Sequence, residues 1–243
     1  YIYSSGYMLK KRDYLDKFQS IPSIDIEQKK IISIASKYSM TGKIRQHALI
    51  NLLNYIFKKK VKGDLVECGT WLGGNLIIFD MLKKKHKSKK SIFGYDTFYG
   101  MPKPIYKDKD NQGKDFSKTY KEINKRYYSN RRFNLMKVKQ ILKKNKVDLK
   151  KTKLIPGLIE QTLKIKKNQP KQISLIRLDT DWYQSTKASL EKLFPLLSKG
   201  GILIIDDYGW NAGCKKATDE YLKKQKDKIS FFRIDHEAVF LIK

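Results

Sequence analysis

Two stretches of this chain end on closely spaced acids: IRLDTD at Ile176–Asp181 and LIIDD at Leu203–Asp207. They make Asp179, Asp181, Asp206 and Asp207 one candidate group. Carboxylates of this kind offer oxygen ligands to a hard cation such as Mg²⁺, or take a proton from a hydroxyl. A single Asp after a strand commonly caps a turn or a helix. Two converging pairs are different, because four carboxylates at one rim repel each other unless a cation sits among some of them. A second pattern is VECGTWLGG, in which Gly69, Gly73 and Gly74 let backbone N–H groups approach a ligand closely, with Glu67 beside them. The run SIFGYD then ends on Asp96, about one helix and one strand later, where an acid holds ribose hydroxyls. The glycine turn and Asp96 together point to a nucleoside ligand, and Gly157 in LIPG reads as a tight turn against it.

These residues need a sheet to carry them. Ile173–Leu178 and Ile202–Ile205 are short and aliphatic, the pattern of parallel strands covered on both faces, and the segment between them has helical spacing. They form one βαβ unit, whose strands end at their carboxyl side on the acids, the side where open parallel sheets bind ligands. Further strands are predicted at Asp64–Cys68, Ser91–Tyr95 and Leu154–Pro156, with Phe231–Ile234 and Ala238–Ile242 as an edge hairpin turning at Asp235–Glu237. Behind the capping candidate Thr41, residues Ile44, Ala48, Leu49, Leu52, Leu53 and Ile56 recur at helical spacing. Arg45 in this helix reads equally as closing over a ligand, with Met40 and Thr41, or as a solvated side chain. Trp210–Lys224 is predicted as a helix with Ala217 and Tyr221 inward.

Residues 1–39 are expected to be an N-terminal helical appendage outside the sheet, with a helix near Ile26–Lys37 and a surface available for homo-oligomer contact. Residues 40–243 form the main domain. Its polar segment at about 101–150, with helices at Ser117–Tyr128 and Asn134–Lys146, is longer than a simple crossover and is expected to act as a lid or substrate wall. The predicted fold is an α/β, Rossmann-like, mostly parallel seven-stranded sheet with helices on both faces and a C-terminal antiparallel hairpin, the class I methyltransferase arrangement.

The chain has 243 residues and a formal net charge of +29, a value that raises nucleic acid or an anionic membrane as partner. Its lysines are spread over nearly every polar face, from Lys58–Lys60 to Lys223–Lys228, without the interleaved aromatics and glycines of an RNA-binding module. A nucleic-acid partner is therefore not expected. Cys68 and Cys214, far apart, indicate neither a disulfide framework nor a zinc site. No apolar run has the length of a membrane span or signal core, so a cytoplasmic location is expected. His47, His86 and His236 are scattered and belong to no acid–base motif. Trp182, Trp210 and Tyr208 follow the acidic pairs, as a wall for a sugar ring or as packing above the sheet.

VECGTWLGG, GYDTFYGMP, LIPGLIEQTL, IRLDTDWYQST and GGILIIDDYG, followed by CKKATDEYL, together resemble the macrocin O-methyltransferase (TylF-like) family. That resemblance covers about residues 39–224 and implies an S-adenosylmethionine-dependent, metal-assisted sugar O-methyltransferase. By the same resemblance Glu67, Gly69 and Gly73 line the methionine end, Asp96 holds the ribose, and Gly157 and Leu158 lie near the adenine. Asp179, Asp206 and Asp207 match the metal-ligand positions and Asp181 a base. Gln184 stands where the family often carries Glu. The acceptor expected is a glycoside, nucleotide sugar or surface-polysaccharide unit. Three rival readings are an RNA methyltransferase, favoured by charge, a catechol-type O-methyltransferase, which uses the same ion logic, and a non-catalytic protein retaining the cofactor pocket.

Overall fold

The computed structural model describes residue 21 and residues 23–128, 133–225 and 230–243. Much of the expected N-terminal appendage, residues 1–20, lies outside the described residues, as do parts of the insertion and of the last lysine-rich stretch. Seven strands, β1 (Asp64–Cys68), β2 (Ile92–Asp96), β3 (Thr152–Pro156), β4 (Ile173–Leu178), β5 (Leu197–Ile205), β6 (Phe232–Arg233) and β7 (Val239–Ile242), form one sheet in the order β3-β2-β1-β4-β5-β7-β6. The first five pair in parallel, while β7 runs antiparallel to β5 and β6. This is the mostly parallel sheet with a terminal hairpin read from the sequence.

Alternation along the strands explains the two cores. Leu65, Leu175, Ile202 and Ile204 face helices α1 (Ile26–Ala35), α2 (Lys43–Lys58) and α3 (Gly74–Lys85). Val66, Cys68, Ile176, Leu178, Leu203 and Ile205 face the opposite layer, which includes α7 (Tyr183–Leu193) and α8 (Ala212–Leu222). Both faces are covered, which is why these strands carry aliphatic runs, interrupted by Glu67 in β1 and by Ser174 and Arg177 in β4. Each such side chain contributes about 1.5–3 kcal/mol by leaving water.

Helix α1 starts with a capping box between Asp25 and Gln28, and its Ile31, Ile32 and Ala35 join the core with α2 and α3. In α2 the buried residues are Gln46, Leu49, Ile50, Leu53, Ile56 and Phe57, so Ile44, Ala48 and Leu52 sit at the edge of the stripe. Its N-cap is Gly42, with no side-chain cap, and Thr41 is employed elsewhere. Strand β5 begins earlier than the aliphatic run, because Leu197 pairs with Ile173 across a register irregularity. Between β2 and β3 lie α4 (Ser117–Ile123), a wide-turn continuation at Asn124–Tyr128, and α5 (Leu135–Lys144), whose Val138, Ile141 and Leu142 pack in the sheet core. Leu158 then caps α6 (Ile159–Thr162).

Candidate functional site

At the carboxyl ends of β1, β2 and β4 a pocket opens, bordered by Gly69, Asp96, Gly157 and Leu158 on one side and by Asp179 and Asp181 on the other. Met40, Met101, Pro102, Tyr128 and Trp182 close it laterally. The glycine turn is held by Asp96, whose Oδ2 accepts from the amides of Thr70 (2.8 Å) and Trp71 (2.9 Å) and whose Oδ1 accepts from the amide of Phe98 (2.9 Å). Burial pushes the Asp96 carboxyl above its ordinary range, against the pull of those amides. Gly69 has φ +84°, and a Cβ there would stand 1.7 Å from the Asp179 carbonyl oxygen, so only glycine fits. Gly73, at φ +86°, is the N-cap of α3 and packs against Leu142. The Gly157 amide donates to the Asp96 carbonyl at 2.9 Å.

Glu67 is fully buried, and its Oε1 accepts from Arg177 Nη1 and Asn75 Nδ2, each at 2.9 Å. Its Oε2, with Thr70 Oγ1 and Trp71 Nε1, is buried without a hydrogen-bond partner among the described residues. Burial pushes the Glu67 carboxyl up to about 7, with Arg177 and Asn75 pulling the other way.

On the acidic side, Asp179, Asp206 and Asp207 each offer an oxygen within 4.8 Å of the others. Arg177 Nη1 donates to Asp179 Oδ2 (2.9 Å) and Nη2 to Asp206 Oδ1 (2.6 Å); Arg45 Nη1 donates to Asp206 Oδ2 (2.6 Å). Burial opposes ionisation of Asp206, but the two guanidiniums outweigh it and hold this carboxyl below its usual range. Compensation is weaker at the neighbours, where Asp179 accepts from Arg177 only. Burial, reinforced by the charges of adjacent carboxylates, raises Asp207 well above its usual range, Asp179 to about 6 and Asp181 to about 8. Such unbalanced negative charge suits a cation, and each Asp206 oxygen keeps a lone pair beyond the one its arginine uses.

The strand does not continue to Asp181: β4 ends at Leu178, and Asp181 sits in the following turn at φ +58°. Its amide donates to Asp207 Oδ2 at 3.2 Å, so the turn rather than a strand pleat aims Asp181 at the pocket. Trp182 is both wall and packing: it borders the pocket, its ring lies 5.3 Å from Phe116, and Nε1 donates to the Pro102 carbonyl at 2.9 Å. Tyr208 packs on Phe231 and donates its hydroxyl to Asp219. Gln184 is exposed on the first turn of α7. His86 stacks on Phe57, His47 lies beside Asn51 on α2, and His236 is exposed.

Residues 29–243 match the family described as Macrocin-O-methyltransferase (TylF). The chain belongs to the TylF family. Demethyldecarbamoylnovobiocin O-methyltransferase of Streptomyces niveus is 28% identical over 218 residues, covering 85% of this chain and 76% of that protein. A tetracenomycin-C rhamnosyl 4'-O-methyltransferase of Streptomyces olivaceus is 29% identical, covering 84% and 74%. The solved O-methyltransferase NovP superposes with a TM-score of 0.73 at 26% identity over 85% of this chain and 82% of that one. Calicheamicin methyltransferase CalS11, at 19% identity and TM-score 0.69 over 100% and 95%, shares the fold. This TylF family protein is an S-adenosylmethionine-dependent O-methyltransferase.

Arg177 and Tyr128 escape a reading of the sequence, and the ion pairs of Arg45 are not visible in it. Arg177 lies inside an aliphatic strand and carries no sign of its partners beyond its place two residues before Asp179. Arg45 is not a solvated side chain: it is 10% exposed and ion-paired to Asp206, Asp235 and Glu237. Tyr128 reaches the pocket from the insertion; burial and then the charge of Asp96 raise its phenol pKa, so it stays a hydrogen-bond donor.

Proposed function

We propose that this enzyme methylates a sugar hydroxyl, on a glycoside, nucleotide sugar or surface-polysaccharide unit, with Mg²⁺ held by Asp179, Asp206 and Asp207 and with Asp181 as general base. The observation that carries the reading is the convergence of three carboxylates within 4.8 Å of one another, of which Asp179 lines the pocket that also contains the glycine turn. The sugar class is supported by relatives named for glycosidic positions, a rhamnosyl 4'-hydroxyl and a mycinamicin III 3''-hydroxyl.

On the donor side, Gly69 and Gly73 shape the turn, Glu67 supplies an unpartnered buried oxygen suited to the cationic methionine end, Asp96 faces the ribose, and Gly157 and Leu158 flank the adenine. S-adenosylmethionine supplies an already activated methyl group. The chain's task is to bring the acceptor oxygen in line with it, and positioning of this kind is worth up to about 7–11 kcal/mol in the best intramolecular cases. A bound divalent ion supplies Lewis acidity that lowers the pKa of a sugar hydroxyl and fixes its direction. Asp181, aimed at the pocket by its turn, accepts the hydroxyl proton in its ionised form, which a divalent cation among Asp179, Asp206 and Asp207 would favour by offsetting the carboxylate charges that raise it. Met40, Met101 and Trp182 exclude water from the acceptor side and offer apolar surface to a sugar ring.

The test is methyl transfer from labelled S-adenosylmethionine to a panel of deoxysugar glycosides and nucleotide sugars, with chelator and after Mg²⁺ is restored. Activity on a sugar that vanishes with chelator and returns with Mg²⁺ is expected. Transfer untouched by chelation removes the metal from the proposal, and transfer to catechols or RNA alone removes the sugar.

A further inference from the structure

Arg177, on β4, joins Glu67 of β1 to Asp179 and Asp206. Its Cα pairs directly with that of Glu67 on β1 and of Ile204 on β5, so by strand alternation Glu67, Arg177 and the residues two beyond, Asp179 and Asp206, fall on one face of the sheet. Arg177 is 1% exposed. Nη1 donates to both Glu67 Oε1 and Asp179 Oδ2 at 2.9 Å; Nη2 donates to Asp206 Oδ1 at 2.6 Å and Thr41 Oγ1 at 2.9 Å. Asn75 Nδ2 also donates to Thr41 Oγ1 (3.0 Å) and Glu67 Oε1 (2.9 Å), which closes the ring of contacts from α3. Thr41 adjoins Met40, which borders the pocket.

We propose that Arg177 is a positioning residue that couples the methyl-donor side of the site to its acidic side, a reading that rests on the function proposed above. A guanidinium is a rigid planar fork, so its direction toward Glu67 fixes its direction toward Asp179 and Asp206. A ligand that shifts or neutralises Glu67 changes how tightly the fork holds the two aspartates. A cation that takes up aspartate oxygens changes the hold on Glu67 in return, since coupling between two ligands is reciprocal. Lysine provides the charge without the fork. Arg45 grips Asp206 without touching Glu67, and so provides the comparison.

The experiment is calorimetric titration of Mg²⁺ into the full chain, with and without saturating S-adenosylhomocysteine, for wild type, Arg177→Lys, Arg45→Lys and Glu67→Gln. Wild type is expected to show a Mg²⁺ Kd that changes about fivefold or more when S-adenosylhomocysteine is bound. Arg177→Lys is expected to bring that ratio below about twofold, whereas Arg45→Lys weakens Mg²⁺ but preserves the ratio. Should Arg177→Lys lose the wild-type circular dichroism spectrum, Glu67→Gln decides, because it removes charge from the donor arm and leaves the fork and both aspartates; its ratio is also expected to fall. Binding of both ligands by wild type with no mutual effect overturns the inference while leaving the proposed function standing. So does a ratio that survives Arg177→Lys and Glu67→Gln, or one lost equally in Arg45→Lys. Failure of wild type to bind either ligand overturns the proposed function and the coupling with it.

Discussion

The carbonyl oxygen of Asp179 occupies the space a side chain on Gly69 would need, 1.7 Å from the ideal Cβ position. The donor turn after β1 and the acid-bearing turn after β4 are thus in backbone contact, and the amide of Asp179 donates to the Cys68 carbonyl at 2.8 Å. Gly69→Ala should therefore displace Asp179. Its expected cost exceeds about 2 kcal/mol, a fall in Tm of about 4–8 °C, with cofactor and Mg²⁺ affinities both reduced. Gly113 has a similar φ of +83° and nothing within 4 Å, so Gly113→Ala should cost only about 1 kcal/mol. Thermal melts of the two variants check the contrast; equal effects would mean that crowding at Asp179 is not what matters.

Asp181→Asn keeps the shape of the turn and removes the proposed proton acceptor. Its kcat is expected to fall about 100-fold or more, with S-adenosylmethionine and Mg²⁺ affinities within about threefold of wild type. Equal loss of turnover and Mg²⁺ binding would make Asp181 a ligand instead.

The raised carboxyls set a pH dependence for the metal-free protein. Glu67, Asp179 and Asp181 titrate near 7, 6 and 8 in the fold, against roughly 4 in the unfolded chain. The native state binds more protons than the unfolded state between those limits, so unfolding free energy falls as pH rises. Stability is fully present below about pH 4 and is lost as pH climbs through 6 to 8. Asp206 and Asp235 are depressed, so their contribution is lost only at acid pH, below the window used. Melts in chelator should show Tm dropping from pH 5 to pH 8.5, and Mg²⁺ should raise Tm more at pH 8 than at pH 6. A metal-free Tm that rises across this range would contradict the charge imbalance.

Helix α7 cannot cap itself, because its N-cap is Trp182. Asp108, from the insertion, accepts the Tyr183 amide at 2.7 Å and the Ile105 amide at 2.8 Å, and is 1% exposed. Asp108→Ala is expected to cost about 1–2 kcal/mol. It should also lower kcat by loosening the turn that carries Asp181, and open residues 101–116 to limited proteolysis. Unchanged cleavage would show that the segment's other contacts, among them Trp182 to Pro102 and the Ala212 amide to Lys109, hold it without Asp108.

Much of the site was readable along the chain. Asp179 and Asp206 end strands whose aliphatic runs announce burial on both faces, and a βαβ unit places such strands side by side. Gly69, Asp96 and Gly157 follow from the same logic of strand ends. Thr41 was misplaced as a helix cap because a threonine before a helix has the same sequence whether its hydroxyl caps the helix or accepts from Arg177. Arg177 was hidden because one arginine in an aliphatic strand does not name its partners.

The sequence by itself determined the strand order's raw material, the parallel sheet with its hairpin, and the set of acids at its carboxyl rim, since these depend on periodicity and chain-local spacing. Tertiary structure alone decided that two arginines share Asp206, that Asp181 is aimed by a left-handed turn, and that Asp108 caps a helix 75 residues away. Those facts depend on which groups are desolvated against each other across separate strands. Local sequence carries no record of that.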